Sequence, residues 1–304
     1  MSKDNKRGIN PIIDEINLSD VDQLYRQELK RVLNDKKLLS ELEKRGILSE
    51  LVDGNLGNIL DFESTHLECD AFHKIHGDKP CGTQIVEIFY DGSKVARQLG
   101  QCPHQLKVDQ MRGRYIYSDF PANWINNRIS NVDVQRNRAV FLTELLAIIK
   151  GEKNWLYGFG PSGRGKAFMV VSALNEIAIA NPLATFAFVD FPNLVSENMV
   201  DYFANRASVD RVVSVLSGVD YLVLNHFGNE ELSELVRSAI TMPLLSSRDS
   251  QGKTTIILSN IGLDQLTELH RSGKNNQVRA GQLIDIIRDN IKSPIQLVGA
   301  KIYE

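Results

Sequence analysis

Hydrophobic and polar positions divide the 304-residue chain into three sections of different rhythm. In residues 14–56, rich in Leu, Glu, Lys and Asp, apolar positions recur at three- and four-residue spacings. That period predicts amphipathic helices, with Leu24, Leu29, Val32 and Leu33 on one face and Leu38, Leu39, Leu42 and Leu48 on a second. Ser19-Asp20 is the expected N-cap of the first helix. Such a segment serves either as a small charged bundle or as a docking surface for another protein. In the section that follows, TQIVEIFYDGSKVARQLGQC reads as a β-hairpin turning at Asp91-Gly92. Residues 111–138 are rich in Asn and Asp with weak periodicity, and are expected to connect two domains with one short strand among them. Beyond residue 139 the pattern alternates. AVFLTELLAIIKG, ended by Gly151, and EELSELVRSAIT have helical spacing, whereas NWLYGF, TFAFVDF, DYLVLN and TTIILSN are short apolar runs typical of buried strands. The fold class expected is α/β, a parallel sheet covered on both faces. The expected organisation is an N-terminal helical and metal-binding domain over residues 1–110, a linker over 111–138 and the α/β domain over 139–304.

Composition narrows the classes. Hydrophobic residues at 42% and charged residues at 24% suit a globular protein, and a net charge of −3 leaves any nucleic-acid binding to a local patch. The first residues lack the apolar core of a secretory signal, and no run reaches the roughly 18 apolar residues of a membrane span, so the cytoplasm is the expected location. Three cysteines do not make a disulfide framework and point instead to metal binding or to core positions.

All three cysteines and four of the six histidines fall between residues 66 and 104. His66 and Cys69 have the two-residue gap of a metal knuckle, and Cys81 before the hairpin with Cys102 after it complete a tetrahedral set suited to zinc. His73, His76 and His104 are alternative ligands. A structural zinc would stabilise a subdomain with little apolar core.

The sharpest motif is Gly160-Pro161-Ser162-Gly163-Arg164-Gly165-Lys166, set between a predicted strand and a predicted helix. Glycines let backbone N–H groups turn toward phosphates, the helix N-terminus adds the positive end of its dipole, and the lysine reaches the terminal phosphates. Ala167 stands where a serine or threonine hydroxyl is expected on Mg²⁺. The strand DYLVLN ends in Asn225-His226, where an acidic residue is expected to hold the metal, and Glu230 and Glu231 come four and five residues too late. ATP binding is expected to survive, with magnesium in doubt and hydrolysis slow or absent. Arg112-Gly-Arg114-Tyr-Ile-Tyr117 mixes basic and aromatic residues, as a solvated strand edge or a nucleic-acid contact does. No Ser/His/Asp or Cys/His nucleophilic arrangement can be assembled.

YGFGPSGRGKAF, LVLNHFG, Arg248, IILSN with Asn260, and IRDNIKSPIQLVG follow one another in an order that resembles bacterial primosomal helicase loaders of the DnaI/DnaC type. These are AAA+ P-loop proteins that place the replicative helicase on single-stranded DNA. The resemblance covers most of residues 139–304 and extends to the N-terminal half, which looks like the loader's cysteine-bearing, helicase-binding domain. It implies that Lys166 is the P-loop lysine, that Asn225 replaces the metal-binding aspartate and that Asn260 is the sensor asparagine reading the γ-phosphate. It also implies an arginine supplied to a neighbouring copy, with Arg271 and Arg279 the candidates. The family's ERIR-like segment appears as Asp285-Ile286-Ile287-Arg288, with Ile286 in place of its first arginine. The function implied is helicase loading at the initiation of DNA replication, through the replicative helicase, single-stranded DNA and a possible homo-oligomer. The alternatives are an active P-loop ATPase with an unusual magnesium site and a non-catalytic adaptor on an AAA+ scaffold.

Overall fold

The structure is a computed structural model and describes residues 18–77, 81–82, 84–132, 136–200, 202, 205–271 and 277–299. The chain divides into two compact units, Met1–Leu106 and Lys107–Glu304.

The first unit starts with helices α1 (Leu18–Asn34), α2 (Lys36–Lys44) and α3 (Leu56–His76). Asp35 caps α2, its carboxylate accepting from the Lys37 and Leu38 N–H groups at 3.0 Å. The hairpin follows as predicted, β1 (Gln84–Tyr90) pairing with β2 (Val95–Gln101), and Asp91 Oδ1 holds the turn through Ser93 N and Lys94 N. Val32, Leu42, Ile59 and Phe62 pack with Val86, Ile88 and Val95 to form the core. The predicted helical faces hold only in part. Ser19 and Asp20 lie inside α1, not at its cap, and Leu24, Leu33 and Leu48 are exposed. Leu24 stands five residues before Leu29, about 140° round the helix, so the two share no face. Helix α4 (Pro103–Arg112) spans the boundary between the units.

The second unit contains β3 (Tyr115–Ser118), α5 (Arg136–Ile149), β4 (Trp155–Phe159), α6 (Lys166–Ala180) and β5 (Phe186–Asp190). It continues with α7 (Phe191–Met199), α8 (Arg206–Gly218), β6 (Tyr221–Asn225), α9 (Glu234–Val236) and α10 (Met242–Ser250). It closes with β7 (Thr254–Ser259), α11 (Leu263–Arg271), α12 (Gln277–Asn290) and β8 (Ile295–Gln296). The six strands form one parallel sheet in the order β3-β5-β6-β7-β4-β8. Alternate residues of each strand serve the two faces. Leu156, Phe186, Phe188, Val223 and Ile256 pack under α5 and α6, while Tyr157, Ala187, Leu222, Leu224 and Ile257 pack against the opposite layer with Val209, Leu244 and Leu283.

Two segments depart from the sequence expectation. Residues 111–138 were expected as a linker with one short strand. The strand is present as β3, but the segment belongs to the second unit, since Tyr115 pairs with Phe186 of β5, its hydroxyl donates to Asn175 Oδ1 at 2.9 Å, and Ile125 and Val132 enter the core. A four-residue edge strand and single-turn helices fill gaps one side chain at a time, so the segment has no period to read. EELSELVRSAIT is not one regular helix, because α9 passes through a π turn at Arg237–Thr241 into α10.

Candidate nucleotide site and metal centre

Open α/β sheets bind ligands beyond the carboxyl ends of their strands. At that edge β4 runs into the glycine-rich loop and α6 begins at Lys166. Gly160 has φ 134°, and a Cβ there would lie 2.2 Å from the Leu297 carbonyl oxygen, so no other residue fits. Lys166 is buried, and its ammonium donates to the Gly160 carbonyl at 2.6 Å and the Pro161 carbonyl at 3.0 Å. Burial first and the Arg164 charge second lower its pKa to about 8. Nε of Arg164 is itself buried and has no hydrogen-bond partner among the described residues.

The loop, Asn225, His226, Asn260 and Trp124 line one pocket. Ser162 Oγ donates to Asn260 Oδ1 at 3.3 Å. Asn225 ends β6 opposite Asp190, which ends β5. His226 has φ 60°, uncommon for any residue but glycine, and its Nδ1–H donates to Asp190 Oδ2 at 2.8 Å. Sequence reasoning missed Asp190, although an acidic residue at the carboxyl end of a buried strand is a readable signal. Glu230 is buried, its carboxylate accepting from the Gly228 N–H at 2.6 Å, and burial pushes its pKa up. Glu231 lines a different cleft with Pro192, so neither glutamate faces the phosphate pocket. Mg²⁺ takes an octahedral shell of oxygens, commonly including a carboxylate. The methyl of Ala167 and the neutral amide of Asn225 do not fit that protein share.

Of the arginine-finger candidates, Arg279 is not among the residues that line this pocket. Arg279, on α12, sits 3.7 Å from Glu234 on an exposed surface. Arg271 closes α11, and its side chain lies outside what is described, as do residues 272–276. Arg288 donates to Asp264 at 2.9 Å. Arg248, fully buried, donates to Thr255 Oγ1 at 2.9 Å and to the Leu216 and Val219 carbonyls at 2.8 and 2.9 Å, which makes it a structural clamp.

In the first unit Cys69, Cys81 and Cys102 come together with His73, all four ligand atoms within 4.8 Å of one another. The predicted ligand His66 is elsewhere, 3.4 Å from Glu87 and against the Phe62 ring. Cys69 Sγ lies 3.1 Å from Cys102 Sγ and 3.9 Å from Cys81 Sγ, and His73 Nε2 is 3.2 Å from Cys102 Sγ. Zn–S bonds of about 2.3 Å at tetrahedral angles place sulfurs about 3.7 Å apart, so the donor set fits zinc in type and spacing. His73 Nδ1–H donates to the Gly77 carbonyl at 2.6 Å, which leaves Nε2 as the ligand nitrogen. Burial, then the two neighbouring thiols, pushes the Cys69 thiol well above its ordinary range. Burial works against a charge on His73, but the Gly77 carbonyl and the Cys102 and Cys81 sulfurs outweigh it, raising its pKa to about 9.

The parallel sheet, the loop between β4 and α6 and the polar strand ends opposite it define a P-loop protein of the AAA+ class. No protein-family model matches the chain. The replicative helicase loader DnaI of Bacillus subtilis is 21% identical over 303 residues, covering 92% of this chain and 93% of its own. A crystal structure of DnaI is 20% identical with a TM-score of 0.53, over 63% of this chain and 98% of that one. The chain is thus similar to a helicase loader of the DnaI type along most of its length.

Proposed function

We propose that this protein is a primosomal helicase loader acting in the cytoplasm. Its N-terminal unit holds a zinc ion and binds the replicative helicase. Its AAA+ unit binds ATP, contacts single-stranded DNA and assembles with further copies. The observation that carries the reading is similarity to a helicase loader along 92% of the chain, across both units and not the P-loop unit alone. Among the described residues no helix is long and apolar enough to cross a membrane.

The missing magnesium ligands favour a nucleotide that acts as a switch, stabilising one assembly state, over one consumed rapidly. Arg279, exposed and away from its own chain's pocket, is placed as a residue offered to a neighbouring copy would be. Co-elution with the replicative helicase of the same organism, with and without ATP, tests the reading. A complex that tightens with ATP is expected. A complex indifferent to ATP would make the protein an adaptor on an AAA+ scaffold, and no complex in either buffer would sink the loader reading.

A further inference from the structure

We propose that the phosphate pocket accepts ATP without a divalent cation, the positive charge coming from Lys166 and Arg164 while His226 covers the Asp190 carboxylate. The proposal rests on the nucleotide-binding reading above. In a P-loop site Mg²⁺ offsets the charge of the terminal phosphates. Here both positions expected to hold it, Ala167 and Asn225, have lost the group required. A carboxylate left at the strand end without a metal would repel the phosphates. In this chain the carboxylate at that edge, Asp190 at the end of β5, is covered by the His226 ring at 2.8 Å, and two nitrogen-bearing side chains line the pocket.

The first is Arg164, a second cation two residues before the loop lysine. A buried donor without a partner costs about 1–3 kcal/mol, and a phosphate oxygen is the acceptor that would recover it. The guanidinium fork also matches phosphate geometry. The second is His226. Its left-handed backbone is a strained conformation of the kind that persists where the surroundings over-determine it, and Asp190 pins the ring at 2.8 Å. Nδ1–H is committed to the carboxylate, and Nε2 faces Asn225 Nδ2 at 3.5 Å, so the ring stands between Asp190 and the phosphate pocket. Lys166 and Arg164 repel each other, a tension that a bound anion relieves. The phosphates then compete with the Gly160 and Pro161 carbonyls for the lysine ammonium.

Calorimetric titration of the full-length protein with ATP, in MgCl₂ and in EDTA, tests this directly. Affinity in EDTA is expected within about twofold of that in magnesium. His226→Ala and Arg164→Ala are each expected to weaken binding in EDTA about tenfold, the first by uncovering the Asp190 carboxylate and the second by removing one charge-assisted hydrogen bond. Circular dichroism checks that both variants fold. The double substitution Ala167→Ser with Asn225→Asp gives a converse test, because it should make binding depend on magnesium. Parent protein that binds only with magnesium would overturn the proposal and leave the nucleotide reading intact. Binding in EDTA unchanged by both alanine variants would overturn the assignment of charge. Binding in neither buffer would remove the nucleotide reading together with the proposal.

Discussion

His270 sits in α11 only 3% exposed, and neither ring nitrogen has a hydrogen-bond partner among the described residues. Burial first and the Arg237 charge second lower its pKa from 6.5 to about 4. The unfolded chain takes up a proton near pH 6.5 that the folded protein refuses until about pH 4, so this residue's contribution falls as pH drops through that window. His270→Leu should raise stability by about 1 kcal/mol at pH 7 by deleting two unpaired buried polar atoms. The gain should widen by about 2 kcal/mol at pH 5. Urea unfolding of both proteins at the two pH values reads it, and an equal gain at both would refute the shifted histidine. Arg248 is the opposite case, a buried cation whose donors are engaged by carbonyls and Thr255 Oγ1. Arg248→Met should cost about 3 kcal/mol or more in the same assay, because it strands those acceptors. A loss under about 1 kcal/mol would show that water replaces the guanidinium. Sequence alone marks Arg248 as notable but does not tell a clamp from a site residue, because its partners come from the end of α8 and from β7.

At the scale of the element, α3 explains why His66 was the wrong ligand to expect. His66, Cys69 and His73 lie three and four residues apart, so all three fall on one face. Helical phase alone therefore selects both histidines, two turns or about 10.5 Å apart along the axis. The hairpin decides between them. Val86 N–H donates to Thr65 Oγ1 at 3.0 Å while Ile85 packs with Cys69, one turn further along α3, which sets β1 antiparallel to the helix. Gln84 pairs with Gln101, so Cys81 and Cys102 leave the open end of the hairpin beside the last turns of α3, where His73 stands. That register is a tertiary fact that the spacing of cysteines does not encode. His73→Ala and Cys69→Ser should lose bound zinc from the purified protein, and His66→Ala should retain it. Metal content by atomic emission distinguishes them, and zinc lost from His66→Ala alone would restore the first expectation. The phosphate loop was legible for the converse reason: its geometry is local, with glycines at φ 134°, 78° and 88° between a strand and a helix. Asp190 was not legible in the same way, because it reaches His226 only through the pairing of β5 with β6.

For the whole molecule, the parallel sheet could be read because its strands are buried on both faces and appear as unbroken apolar runs. The end of the first unit was legible to within four residues, but the start of the second was not, since β3 and the turns after it carry too few apolar positions to announce that they belong to the sheet. Each unit has a core of its own, and the two cores differ in what sustains them. The second unit packs two full layers against six strands. The first has one modest cluster around Val32, Leu42 and Phe62, with the Cys69, Cys102 and Ile85 group beside it. Small domains with a modest core commonly carry a staple, and a zinc ion held by the three cysteines and His73 would contribute folding energy directly. Calorimetry of the zinc-loaded protein should therefore show two transitions. A strong chelator should lower the first unit's midpoint by about 10 °C or more, since 1 kcal/mol moves a domain of that size by about 4–8 °C. The transition of the AAA+ unit should stay in place, and Cys102→Ser should reproduce the chelator's effect without any chelator present. A chelator that moved both transitions equally would mean that the metal supports the whole chain and not the first unit's core alone.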